Sequence, residues 1–289
     1  MPIKYINKNT SGEIKFINRN NNTSNRRIGF KISPGLVVVS GTQKAIFGYG
    51  GTVIMLSMTN LVSNVGVVAN DTTGVGTARE NLAAAGYGTD KAIFGYGQGF
   101  ASSYFNASMT NLVSNVGVVA NDTTGVGTAR ENLAAAGYGT DKAIFGYGDN
   151  GNGFFSLTNL VSNTGIVATD TAGVGTARAA PGAARYGTDK AIFGYGAYIA
   201  GDFVYVSATN LVSNTGVVAT DTTGVGTARR RVAAAGYGSD KAIFGYGSTQ
   251  SDNTLSMTNL VSNTGVVATD TTGVGTARYG PAAAGYSLT

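Results

Sequence analysis

"LAAAGYGTDKAIFGYG", residues 133–148, carries the reading of the fold. Its two apolar halves are each only about seven residues long and are separated by Gly-Thr-Asp-Lys, a tight-turn signal, so a β-hairpin is expected rather than a helix. The second half, KAIFGYG, begins at Lys44, Lys91, Lys142, Lys190 and Lys241, at spacings of 47, 51, 48 and 51 residues. Self-similarity at that period marks a propeller or another repeat array. The repeat is therefore the unit of architecture.

Taken across residues 133–178, the unit reads as four segments, "LAAAGYG", "KAIFGYG", "LTNLVSN" and "TGIVATD". Each is fenced by Gly, Asn, Asp or Thr, and β-branched or aromatic residues dominate three of them. "SNTG" or "SNVG" between the last two is a second turn signal. The expectation is an all-β chain in which each unit is a four-stranded antiparallel meander.

Four strands per unit of roughly 49 residues match one blade of a β-propeller, which leaves only short, protected edges. The small-residue strand "AAAG" at 83–86, 134–137, 233–236 and 282–285 suits the crowded inner edge of such a disc, with Ile and Phe of "KAIF" packed between neighbours. A β-helix or solenoid has shorter rungs and no need of that strand once per unit. If "LVVVSG" at 36–41 and "PAAAGYSLT" at 281–289 are both inner strands, one is left over. Six blades are then expected in a single domain over 1–289, the basic segment 1–35 completing the last blade with 281–289. The strand candidates there are 3–7, 13–18 and 27–32. Five blades plus an N-terminal arm is the alternative.

Composition removes most familiar enzyme chemistry. Among 289 residues there is no cysteine and no histidine, so disulfides, thiolate nucleophiles, the usual zinc ligands and histidine bases are excluded. No run of about 18 apolar residues is present, and membrane insertion is not expected. The opening residues alternate charged and apolar positions and lack the pattern of a cleaved leader. Residues 1–43 carry seven of the 20 cations and only one of the 15 acids, Glu13. That asymmetry suits either a basic arm for an acidic partner or a solvated strand edge.

An arginine before a small-residue strand, a glycine-rich end to the second strand ("FGYG") and two further strands resemble a kelch-type blade over residues 36–289. Two departures stand out: there is no tryptophan, and tyrosine interrupts the double glycine. The near-verbatim Gly/Thr/Val-rich repeats are also similar in style to tail-fibre and other virion proteins of marine bacteriophages. This likeness implies a structural or recognition role on a virion or extracellular surface, without a catalytic motif or cofactor. The partners to expect are another protein of an assembly or a surface glycan rather than nucleic acid.

Within the repeat, Arg79, Arg130, Arg178, Arg229 and Arg278 are expected to bridge adjacent units through carbonyls or carboxylates, with Asp71, Asp122, Asp170, Asp221 and Asp270 as partners. The GVG inside "NDTTGVGTAR" lacks the third glycine and following helix of a nucleotide loop. What differs between copies is concentrated in the segment after "FGYG" and the two to four residues after "TAR". In a meander both emerge on one face. That face would carry Phe100, Tyr104, Phe105, Phe154, Phe155, Tyr198, Phe203 and Tyr205 with Arg230 and Arg231, a composition suited to sugar stacking or protein contact. A hydrolase would instead need converging acids, for which Glu80, Glu131, Asp149, Asp202 and Asp252 are the candidates. No metal site is expected.

Overall fold

The computed structural model describes residues 7–8, 14–15, 44–250 and 253–285. The chain forms two compact units, Met1–Ser40 and Gly41–Thr289. In the first, strands Asn7–Lys8 and Ile14–Lys15 pair antiparallel, with Lys8 opposite Ile14. The strands expected at 27–32 and 36–41 lie outside the described residues.

In the second unit every regular element among the described residues is a strand. The four copies with all their strands described share one sheet order, first strand, second, third, all antiparallel. First strands are Ala83–Tyr87, Ala134–Tyr138, Gly182–Tyr186 and Ala233–Tyr237. Each pairs with the KAIFG strand that follows it, in a register that sets Tyr138 opposite Lys142 and Ala134 opposite Gly146. Third strands, Thr-Asn-Leu-Val, add on the far side, as Thr158–Val161 does to Lys142–Gly146. The copy beginning at Ala45 is described as its second and third strands.

The turns follow from local chemistry. Gly88 and Thr89 both lie left-handed, at φ of 59° and 66°, so the hairpin closes with the hand that matches strand twist. At Ser114–Gly117 the amide of Gly117 donates to Ser114 O at 2.9 Å, and Gly117 takes a φ of 83° that only glycine adopts freely.

The fourth segment departs from the meander expected. It touches the third strand at two bridge points, Val161 with Val167 and Thr158 with Thr171, and is not a continuous strand. The reason is Asn159, whose side-chain amide donates to Ala168 O at 3.1 Å and to Asp170 Oδ1 at 2.9 Å. An asparagine side chain fills the space where a backbone ladder would run.

Successive copies bury one another. Phe145 packs under the preceding copy's Tyr96, ring centres 5.1 Å apart, and Phe193 repeats this with Tyr147. First strands of neighbouring copies also lie side by side: a Cβ added at Gly137 would sit 3.5 Å from Gly86 O. Small residues are what that approach requires.

Candidate functional site

Each junction between copies is closed by one arginine. Arg178, fully buried, donates from Nε to Tyr195 O at 2.7 Å, from Nη2 to Asn210 Oδ1 at 2.7 Å and from Nη1 to Thr176 O at 2.9 Å. Its guanidinium lies 4.1 Å from the Tyr147 ring of its own copy, and Nη1 is 3.8 Å from Asp221 of the next. Arg79, Arg130 and Arg229 are buried at equivalent places, on Asn111, Asn159 and Asn259. Arg278 is exposed, stacked on Tyr246 at 4.0 Å and bonded to Thr276 O.

The aspartates join through a second route. Asp170 accepts from Thr128 N at 2.9 Å and Thr128 Oγ1 at 2.7 Å, across the junction. Burial alone would raise its carboxyl; hydrogen bonds from Thr128 and Asn159 outweigh that and hold it below the ordinary aspartate value. Asp71 bonds Asn60 within its own copy, and among the described residues no cation reaches it.

The tyrosine that completes this junction is held in an uncommon backbone state. Tyr96, Tyr147 and Tyr195 have φ of 64°, 66° and 66°, a region that costs a bulky residue on the order of 1–3 kcal/mol. Burial pushes the Tyr147 hydroxyl up to about 12, so it stays protonated and donates to Val174 O at 3.4 Å. Sequence reasoning singled out the arginines and aspartates but missed this tyrosine and the asparagine. The signal was present, since every copy spaces its Asn and Asp eleven residues apart.

The two variable segments meet in the four copies whose entering link is described. Arg79 and Glu80 pair with Gly99 and Gln98, making a third strand on the hairpin Gln98–Phe100 and Tyr104–Asn106. Glu131 pairs with Asp149, Ala179 with Ala197, and Arg230 with Ser248. The constant turns meet at the other end, where Asn163 Nδ2 donates to Asp141 Oδ2 at 3.0 Å and Asn214 to Asp189 at 3.1 Å. The link residues also form a backbone chain from copy to copy: Asn132 N to Asn81 O, Ala180 N to Asn132 O, Arg231 N to Ala180 O and Gly280 N to Arg231 O, at 2.7–3.0 Å.

The aromatic candidates divide by exposure. Phe100 and Tyr104 are 57% and 66% exposed and meet edge-on at 5.1 Å, and Phe203 is 41% exposed. Tyr198, Tyr205, Phe154 and Phe155 are half-buried. Phe105 folds its ring over Gly99, opposite it in the hairpin, and so covers the strand. Arg230 lies over Phe203 at 4.8 Å and Tyr205 at 5.5 Å, and exposed Arg231 over Tyr279 at 5.2 Å.

The acids gather elsewhere on the same face. Glu131 accepts from Asn81 Nδ2 at 2.8 Å and Gln98 Nε2 at 2.7 Å. Burial pushes its carboxyl up, the Asn81 bond pulls the other way, and Asp149 and Glu80 add to the rise. Asp149 accepts from Asn132 at 3.1 Å, Asp202 sits exposed at the bend of its hairpin, and Asp252 lies outside the described residues. Among the described residues no group of three or more His, Cys, Asp or Glu could hold a metal ion, and no helix is long and apolar enough to cross a membrane.

No protein-family model and no curated protein matches the chain. Its fold is similar to the solved structure of YjhT, with a TM-score of 0.64 over 83% of this chain and 84% of that one, at 11% identity. At that identity the likeness speaks for the fold alone.

Proposed function

We propose that the chain is a non-enzymatic recognition and structural module of a virion or cell surface, which binds a glycan or protein through its variable face. The observation that carries this is the pairing of the two variable segments with each other in the four copies whose entering link is described, while the constant turns pair at the opposite end. Change is thereby concentrated on one surface of an otherwise repeated scaffold, and that surface exposes Phe100, Tyr104 and Phe203 beside polar groups. Kelch-like and virion-repeat resemblance supports the same role.

The architecture proposed with it is a β-propeller of six blades, the last completed by both termini. Supporting it, the chain past Arg278 follows the course of a further first strand: Gly280 N donates to Arg231 O at 2.9 Å, and Gly285 comes up against Gly236 O. Five blades with an N-terminal arm is the competing count.

A second reading, a carboxylate-dependent glycan hydrolase, draws on one observation, the raised carboxyl of Glu131 beside Asp149. Both Glu131 oxygens are engaged by amides, which suits a structural group better than an acid catalyst. A glycan array probed with the full chain tests the first reading: binding lost in Phe100→Ala/Tyr104→Ala and Phe203→Ala variants that keep their melting temperature supports it. Release of reducing ends from a bound polysaccharide, abolished by Glu131→Gln, would replace it with the second.

A further inference from the structure

The link residues of the variable face differ in charge in an ordered way. Along the backbone chain that runs from Asn81 to Gly280, the residues just before each link are Glu80, Glu131, Ala179, Arg230 and Tyr279. Acids, reinforced by Asp149, occupy one stretch of the face, and arginines occupy another. The two clusters are separated by the neutral link Ala179–Ala180.

The arginine stretch is built rather than loosely displayed. Arg229 is fully buried in its junction and anchors the residues that follow. Arg230 exchanges both backbone hydrogen bonds with Ser248 at 3.0 Å, and Arg231 donates to Ala180 O at 3.0 Å while accepting from Gly280 N at 2.9 Å. Arg231 holds a left-handed φ of 53°, the conformation that Gly280 takes at the same place. Its guanidinium rests 5.2 Å from Tyr279, and that of Arg230 rests 4.8 Å from Phe203. Locked backbones and aromatic rests remove much of the ordering cost that a surface arginine ordinarily meets on binding.

We infer that Arg231, positioned with Arg230 among Phe203, Tyr205 and Tyr279, is the subsite for an anionic group, carboxylate or sulfate, on a glycan bound at the variable face. A guanidinium offers two parallel donors to such an oxyanion, and the neighbouring ring faces suit the apolar side of a sugar. The inference rests on the glycan-binding reading above and sharpens it to a charge class.

The test uses the full chain on an array printed with matched neutral, carboxylated and sulfated forms of each oligosaccharide. Charged forms are expected to bind more tightly, with an affinity that falls as salt rises. Arg231→Ala should lose roughly ten-fold for the charged forms and leave the neutral ones and the melting temperature unchanged, and Arg231→Lys should recover part of the loss. Carboxylate and sulfate are told apart by which matched form responds. Equal binding of neutral and charged forms, or a preference that survives Arg230→Ala/Arg231→Ala, overturns this inference and leaves the glycan reading standing. Binding of no form overturns both.

Discussion

Phe47 and Phe145 hold the same place in two copies of the same seven letters, yet Phe47 is 54% exposed and Phe145 is fully buried. Asn60 and Asn159 repeat the contrast: Asn159 is buried beneath Arg130, whereas Asn60 bonds only within its own copy among the described residues. A copy does not bury its own face. Burial arrives from the copy before it, through a phenylalanine, a tyrosine and an arginine that cross the junction, so stability resides in nearest-neighbour contacts.

The comparison can be broken most forcefully at an interior junction. Arg178→Ala leaves Asn210 and Asp221 without their buried cation and is expected to cost about 3–5 kcal/mol in chemical denaturation. Arg278→Ala should cost less than half as much, because Arg278 is exposed and, among the described residues, rests only on the Tyr246 ring and Thr276 O. Equal losses would mean that the end of the array is as well filled as its middle.

Next in size is Tyr147→Gly. Glycine relieves the left-handed strain, but the ring loses its place between Arg178 and Phe193, and a net loss of about 2 kcal/mol is expected. Tyr246 has the arginine stack but, among the described residues, no following phenylalanine, so Tyr246→Gly should come nearer to neutral. Denaturant midpoints of the two variants give the difference directly.

Acid sharpens the same contrast. Asp122, Asp170, Asp221 and Asp270 are held below the ordinary value of 3.8, so their contribution is present above that pH and is lost as pH falls through the depressed values. Melting temperature should therefore drop below about pH 4, and less steeply in Asp170→Asn. Glu131 has the opposite sign, its raised carboxyl favouring the fold at low pH and losing that contribution as pH rises. The smallest effect belongs to the exposed face, where Phe100→Ala should change stability by no more than about 0.5 kcal/mol. A larger loss would mark Phe100 as packing.

Much of the fold was legible because it is decided locally. The alanine strands, the left-handed Gly-Thr turn and the Ser-Asn-x-Gly turn each follow from what a few adjacent residues tolerate. The fourth segment was less legible, since Asn159 replaces a backbone ladder with side-chain bonds that no strand pattern announces. The tyrosine's role is equally hidden, because its φ reverses what propensity expects and only the next copy compensates. At the candidate site, pairing of the variable segments follows from strand direction. Which aromatics face solvent does not: Phe105 turns onto its hairpin because Gly99 opposite leaves room for a ring.

The arginine seal has a consequence for how such a gene can change. Because every junction is written in the same invariant letters, a crossover between two copies would join ends that already fit, and an array lengthened or shortened in one event would keep sound internal seams. Only the hairpins riding on each copy would be reshuffled, so that new surfaces could be tried without renegotiating the scaffold beneath them.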